Sequence, residues 1–288
     1  MRIIDAHHHF WDLTRNPYPW LAETGRIPFR YGDYKAICKP YLPEDYRKDT
    51  QTFEIAGSVH IEAEWEPSDP VGETRWLQTV REASGLPSVC VAQAWLHHED
   101  ADTILEQQAA FPFVRGVRHK PPEPPGFMDG AAWRNGYARL VGYGLSFDLQ
   151  SPWTRLEEAS RLARDFPETL IILNHTGLPA DRSEEGLAGW RSAMRLFAEA
   201  PNVVVKISGI GDVGHEWTVG FNRTVVLDTI EIFGVERCMF ASNFPVDCLV
   251  AGYAQIFDGF LSITAGFTQA EREMLFHDNA VRYYRINE

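Results

Sequence analysis

Short apolar, β-branched runs recur along this chain, about 25–35 residues apart once the first gap is passed, and nothing else in it restricts the fold so much. They are Ile3-Ile4, Gly57–Glu62, Ser88–Trp95, Phe113–His119, Gly144–Leu149, Leu170–His175, Val203–Ser208 and Cys238–Ser242. A strand with a returning helix uses that much chain, and repetition of the unit builds a parallel sheet. The gaps carry helical spacing. Val71–Ser84 sets Trp76, Leu77 and Val80 on one side, and Trp153–Phe166 does so with Leu156, Ala159, Leu162 and Ala163 before Pro167. Leu187–Ala200 and Asn222–Phe233 repeat the pattern. Eight such units predict an α/β fold, a (β/α)8 TIM barrel. A doubly wound sheet is the competitor, but no Gly-x-Gly-x-x-Gly follows an early strand. One domain over residues 1–288 fits this length.

Two stretches interrupt the repeat. Residues 11–52 form a long loop insertion after strand one, rich in proline and aromatics, as in Asn16-Pro-Tyr-Pro-Trp20 and Ile27-Pro-Phe29. It leaves from the end of a strand, so it belongs to the active face of a barrel and can wall or cover a site there. Lys120-Pro-Pro-Glu-Pro-Pro-Gly126 is a stiff, extended loop edge.

A net charge of −13 argues against a nucleic-acid partner, which selects a basic footprint, but allows a locally positive pocket. No run of eighteen apolar residues is present, so no membrane span is expected. The four cysteines lack Cys-x-x-Cys spacing and read as buried free thiols in a reducing compartment. With no N-terminal signal pattern, the expectation is a cytoplasmic protein. A homo-oligomer stays open.

The chemistry concentrates at strand ends. Ile3-Ile4 runs into Asp5-x-His7-x-His9, and strict alternation places those three side chains on one face with His8 on the other. Later ends supply Glu62, on one face with His60, then Arg118 with His119, Asp148, His175, Lys206 with Ser208, and Asn243 running to Asp247. In a barrel these converge on one mouth. Of Arg115 and Arg118 only one points inward, and Arg118, nearer the C-terminal end, is the better group to grip a carboxylate. Trp217, on the loop after strand seven, is a candidate wall of a substrate pocket.

These residues carry a resemblance. Ile4-Asp-Ala-His-His-His-Phe-Trp11, Val114-Arg-Gly-Val-Arg-His119, Asn174-His-Thr-Gly177 and the closing Asn279-Ala-x-Arg-x-Tyr resemble the amidohydrolase superfamily. Within it they look like the lactonase-like branch that includes sugar-acid lactonases and pyrone-dicarboxylate lactonase. The resemblance spans nearly the whole chain. It implies hydrolysis of a lactone, an anionic or polyhydroxylated small molecule, by water attack on the ring carbonyl.

His7, His9 and His175 would polarise that carbonyl, either as three ligands of one zinc ion or by binding substrate oxygens without a metal. Arg118 with His119 would orient the acid's oxygens. Two departures matter. The lysine and histidine of binuclear relatives are replaced by Arg118-His119 and Asp148, which disfavours a two-metal centre. At strand eight the branch carries an aspartate where this chain has Asn243, and a neutral amide cannot take a proton from water. Asp247 is then the expected base, with Glu62 as second candidate. Two rivals remain: an amidohydrolase-type decarboxylase of an acidic substrate, and a barrel that only binds a sugar acid.

Overall fold

A computed structural model describes residues 1–121 and 125–287. The middle of the proline-rich segment after strand four, Pro122-Glu-Pro124, lies outside the described residues. Eight parallel strands run in sequence order around a single sheet: β1 Arg2–His8, β2 Glu54–Ile61, β3 Val89–Gln93, β4 Val114–Arg118, β5 Ser146–Leu149, β6 Ile171–Leu173, β7 Val203–Ile207 and β8 Cys238–Phe240. All eight expected strands are present. The ring is completed where the chain leaving β8 meets β1: His9 N–H donates to Phe244 O (2.7 Å) and Asn243 N–H to His7 O (2.8 Å).

The helices of the repeat are α2 Gly72–Ser84, α3 Ala101–Ala109, α4 Ala131–Tyr137, α5 Leu156–Asp165, α6 Glu184–Ala198, α7 Val219–Phe233 and α8 Tyr253–Ile263, with α1 Pro43–Thr50 inside the insertion. They form where apolar residues recur at 3.6-residue spacing, and α6 is capped by the Ser183 hydroxyl, which accepts from Gly186 N–H (3.0 Å). Trp190, Met194 and Phe197 of α6 are buried against the barrel wall, the packing role their spacing predicts. A short helix, α9 Gln269–Glu273, leads through a π turn into α10 Asn279–Tyr284.

Two cores result. The outer one lies between strands and helices. The inner one fills the barrel with Ile4, Ala6, Val59, Ile61, Val91, Ile172, Val204 and Met239, and Tyr284 of α10 closes its lower end. Nearer the mouth the filling turns polar. Lys206 Nζ lies 2.5 Å from Asp148 Oδ1, which also accepts from Tyr284 OH at 2.9 Å. Cys90 and Cys238 are buried free thiols in strands, whereas Cys248 is exposed. Among the described residues no helix is long and apolar enough to cross a membrane.

Candidate active site

The histidines reach the mouth through an irregularity in β1. Ile4 and Ala6 face the barrel interior, so strict alternation would send His8 inward next. The pairing of β1 with β2 instead slips between Asp5 and His8, and the extra residue turns both His7 and His9 inward. His8 stays outside, with Nε2 2.9 Å from Ser58 Oγ. Asp5 is outside as well. Its carboxylate accepts from Tyr46 OH of α1 (3.1 Å) and from the backbone and hydroxyl of Ser242 (2.8 and 2.7 Å). The expectation that Asp5 shares a face with His7 and His9 is therefore corrected: the bulge breaks the alternation on which it rested.

His9 Nδ1 lies 2.7 Å from Ile61 O, so that nitrogen must carry the proton and Nε2 keeps its lone pair. His7 Nε2 is 3.3 Å from His9 Nε2, and His7 Nδ1 is buried and without a partner among the described residues. The His175 ring centroid is 4.6 Å from that of His7, and its Nδ1 is 2.9 Å from Ser208 Oγ. Burial first, then Lys206 at His7, Arg118 at His9 and Arg30 at His175, hold all three imidazoles well below their ordinary range. They are neutral. His175, Asn243 and Glu64 adopt left-handed backbone (φ 57°, 58° and 59°), a strained state for non-glycine residues that tends to gather at functional mouths.

Asn243 and Asp247 meet across a short turn. Asn243 Nδ2 donates to Asp247 Oδ1 (2.6 Å), as does Tyr31 OH (3.0 Å), and Arg30 Nη2 stands 3.6 Å away. Burial pushes the Asp247 carboxyl up to about 6, against the pull of Arg30, Asn243 and Tyr31. Asp247 itself is not part of the cavity lining; Asn243 and Arg30, which hold it, are.

The cavity above the histidines measures about 340 Å³ and is lined by His9, His175, Asn243, Arg30, Arg118 and Lys120 among others. A second cavity of about 300 Å³ adjoins it, and the two share Trp20, Glu64, Arg118 and Lys120. Arg118 is directed inward and is spoken for: Nε lies 2.6 Å from Glu62 Oε1, Nη1 donates to Gln150 Oε1 (2.7 Å), and Nη2 donates to Glu62 O. Lys120 pairs with Glu64 in the shared wall. His119 and Glu62 belong to the second cavity.

Two further expectations are corrected. Trp217 lines neither cavity; its ring packs on Phe260 and against Gly259 of α8, where a Cβ at 259 would come within 2.1 Å of it. His60 does not share the inner face with Glu62. Val59 and Ile61 take the interior, so His60 faces α2, with Nε2 3.4 Å from Glu73 Oε1, and desolvation lowers it to about 3.

Comparison with known proteins places this arrangement. A model described as amidohydrolase matches residues 4–286. The protein y4mH of Sinorhizobium fredii, called uncharacterized, is 42% identical over 294 residues, 99% of this chain and 98% of its own. The chain belongs to the amidohydrolase family. An L-fucono-1,5-lactonase of Burkholderia multivorans is 25% identical over 308 residues, covering 99% of this amidohydrolase and 96% of the relative. The barrel also superposes on a zinc-bound amidohydrolase from Burkholderia multivorans with a TM-score of 0.84 at 23% identity, over 100% of both chains.

Of the expected three-histidine zinc site, one donor lacks its support. His7 Nε2 and His9 Nε2 stand 3.3 Å apart, about the separation of two nitrogens on one tetrahedral zinc, and His9 Nδ1 has the Ile61 O partner that a ligating imidazole has. As a zinc ligand through Nε2, His7 would need its proton on Nδ1, which has no acceptor, whereas ligating imidazoles normally donate their other N–H. Among the described residues no three His, Cys, Asp or Glu converge to hold a metal. Arg30, Arg118 and Lys206 add positive charge around the rings.

The residues that sequence reasoning missed here are Arg30 and Tyr31. They sit in the aperiodic insertion, and only its position after β1 signalled that it would reach the site. Arg30 Nη1 also donates to Gly209 O beyond β7 (2.9 Å), which fastens the insertion over the mouth.

Proposed function

We propose that this chain hydrolyses a lactone formed from a sugar acid, with its natural substrate in the chemical class of its L-fucono-1,5-lactonase relatives. Family membership and those relatives support hydrolysis. The observation that carries the reading is the pairing of Asp247 with a wall of neutral imidazoles and cations. With its carboxyl near 6, Asp247 is ionised at neutral pH yet basic enough to take a proton. Glu62, the second candidate base, is neutralised by Arg118 and gives one carboxylate oxygen to Glu64 N–H (2.8 Å). Asp247 is the stronger choice.

In this reading the lactone carbonyl lies over His9 and His175, facing Arg30. Asp247, which stands behind Asn243 and Arg30, turns toward the cavity and takes a proton from water as the water oxygen adds to the carbonyl carbon. The oxyanion that forms is stabilised by Arg30, a contact of a kind worth about 2–4 kcal/mol when pre-arranged in a dry site. Collapse breaks the ring C–O bond, and the departing oxygen recovers the proton from Asp247. The product is the open hydroxy acid, which ionises in water. Arg118 is paired with Glu62 and Lys120 with Glu64, so the cation that sets this cavity apart is Arg30, 3.6 Å from Asp247, and it meets a substrate that turns anionic as it reacts. Asn243 holds Asp247 and needs no proton chemistry of its own.

A pH-stat assay over a panel of five- and six-membered aldonolactones tests this. Base consumption with saturation kinetics on at least one of them is expected. Absence of turnover on all of them overturns the reading. Where such ligands still stabilise the fold, a sugar-acid binder replaces it; carbon dioxide release from a hydroxybenzoate replaces it with a decarboxylase.

A further inference from the structure

The second cavity has features of a built site that the lactonase reading does not use. Its size, about 300 Å³, is close to that of the cavity over the histidines. Its wall offers Trp95, half-buried, and Trp20, shared with the first cavity. Two polar groups there are fixed by their surroundings. His119 Nδ1 accepts from Leu96 N–H (3.2 Å) and from Trp133 Nε1–H (3.0 Å), so the ring must be the neutral tautomer with its proton on Nε2. Gln93 is buried with Nε2 donating to Trp65 O (3.3 Å), while its Oε1 has no partner among the described residues. The lining of the cavity therefore includes a neutral imidazole with its proton on Nε2 and a buried amide whose oxygen is unpartnered among the described residues, beside aromatic side chains, groups that suit a hydroxylated ring.

Charge distinguishes the two cavities. Glu62 pairs with Arg118 and Glu64 with Lys120, so the four ionised groups in the second wall cancel, and His119 is uncharged. A second acid group would find no free cation there. A neutral polyol would find hydrogen-bonding partners.

We propose that the second cavity is a binding subsite for a neutral glycosyl ring, and that the natural substrate is a glycosyl-substituted aldonolactone, its lactone end over the histidines and its sugar end against Trp95, Gln93 and His119. The proposal rests on the lactonase reading. The Lys120–Glu64 pair stands in the wall common to both cavities, and each side chain is more than a third exposed. An ion pair so exposed adds little stability, so the wall can part to let a two-ring substrate lie across it.

The experiment compares lactones of disaccharide acids (lactobionic, maltobionic and cellobionic) with the parent monosaccharide lactones. At least one two-ring lactone is expected to show a KM about tenfold or more below its parent, since each tenfold step needs only one well-made set of contacts. Trp95→Ala and Gln93→Leu are expected to cut the ratio of kcat/KM between two-ring and one-ring substrates by about fivefold or more, through KM rather than kcat. Equal KM values for both sizes, or variants that slow both in parallel, overturn the subsite. If no lactone of either size opens, the lactonase reading falls while the subsite is still decided by calorimetric titration with lactobionate and galactonate. Tighter lactobionate binding, weakened by Trp95→Ala, supports it, and galactonate binding as tightly or tighter overturns it.

Discussion

Asn243 Nδ2 lies 2.6 Å from Asp247 Oδ1, so the strand-eight amide serves here to hold a carboxylate four residues on. An acid at 243 would crowd two carboxylates at that distance and keep one of them protonated. The amide avoids this. Asp247→Asn is expected to lower kcat by about 10²–10⁴-fold, as loss of a general base does, and Asn243→Ala to cost less. The base works only when ionised and its folded value is raised to about 6, so kcat/KM should fall as pH drops below about 6, and Asp247→Asn should abolish that limb. Steady-state rates across pH check both; the reverse order of the two variants moves the proton-accepting role elsewhere.

The barrel was legible because its evidence is local. Each strand is a short β-branched run and each helix a 3.6-residue period, and both are visible in one window of chain. His7, His9 and His175 stand out in the sequence because strand ends are where a barrel gathers its polar groups. The misreadings have physical causes. Unbroken alternation predicts Asp5 and His60 on the inner face, but one extra residue in β1 and the apolar claim of Val59 and Ile61 on the interior override it. Trp217 sits on an active-face loop, but its ring is captured by the gap that Gly259 leaves in α8. Arg30 and Tyr31 have no periodicity to read, and their partners lie 179 and 216 residues away.

Metal removal separates two chemistries. His7 Nδ1 has no acceptor to fix it as a ligand, and among the described residues no three donors converge to hold a metal. Prolonged dialysis against a chelator is expected to leave kcat/KM on the best lactone within roughly twofold, where loss of a catalytic zinc would remove several kcal/mol of stabilisation. Zinc content and rate are measured on the same samples. A loss restored by zinc would show that the imidazoles rearrange to bind it.

Lys206 and Asp148 share the barrel interior with no solvent exposure on either side. Burial lowers the Lys206 ammonium to about 8, partly offset by Asp148. Lys206→Met strands the Asp148 carboxylate and is expected to cost about 3–5 kcal/mol, whereas Lys206→Met with Asp148→Leu should recover most of that loss. Urea midpoints of the two single variants and the double variant give the coupling. Additive losses would mean that the pair is not energetically joined.

Acid should unfold this protein early. His7, His8, His9, His60, His119 and His175 all have folded values held below the ordinary imidazole range, chiefly by burial. The unfolded chain binds protons at these sites as pH falls through about 6.5, while the folded chain does not, so their contribution to stability is present above that pH and lost below it. Three buried acids act in the opposite sense. Asp5 and Asp247, raised to about 6, and Glu73, raised well above its usual value, take up protons in the fold before the unfolded chain does, which favours the fold on acidification. Six histidines outnumber these three. The unfolding free energy from urea titrations should therefore fall between pH 7 and pH 5 by more than about 1.4 kcal/mol per pH unit, the slope that one excess proton in the unfolded state produces. A flat profile over that range would mean that the buried imidazoles find partners for a second proton inside the fold.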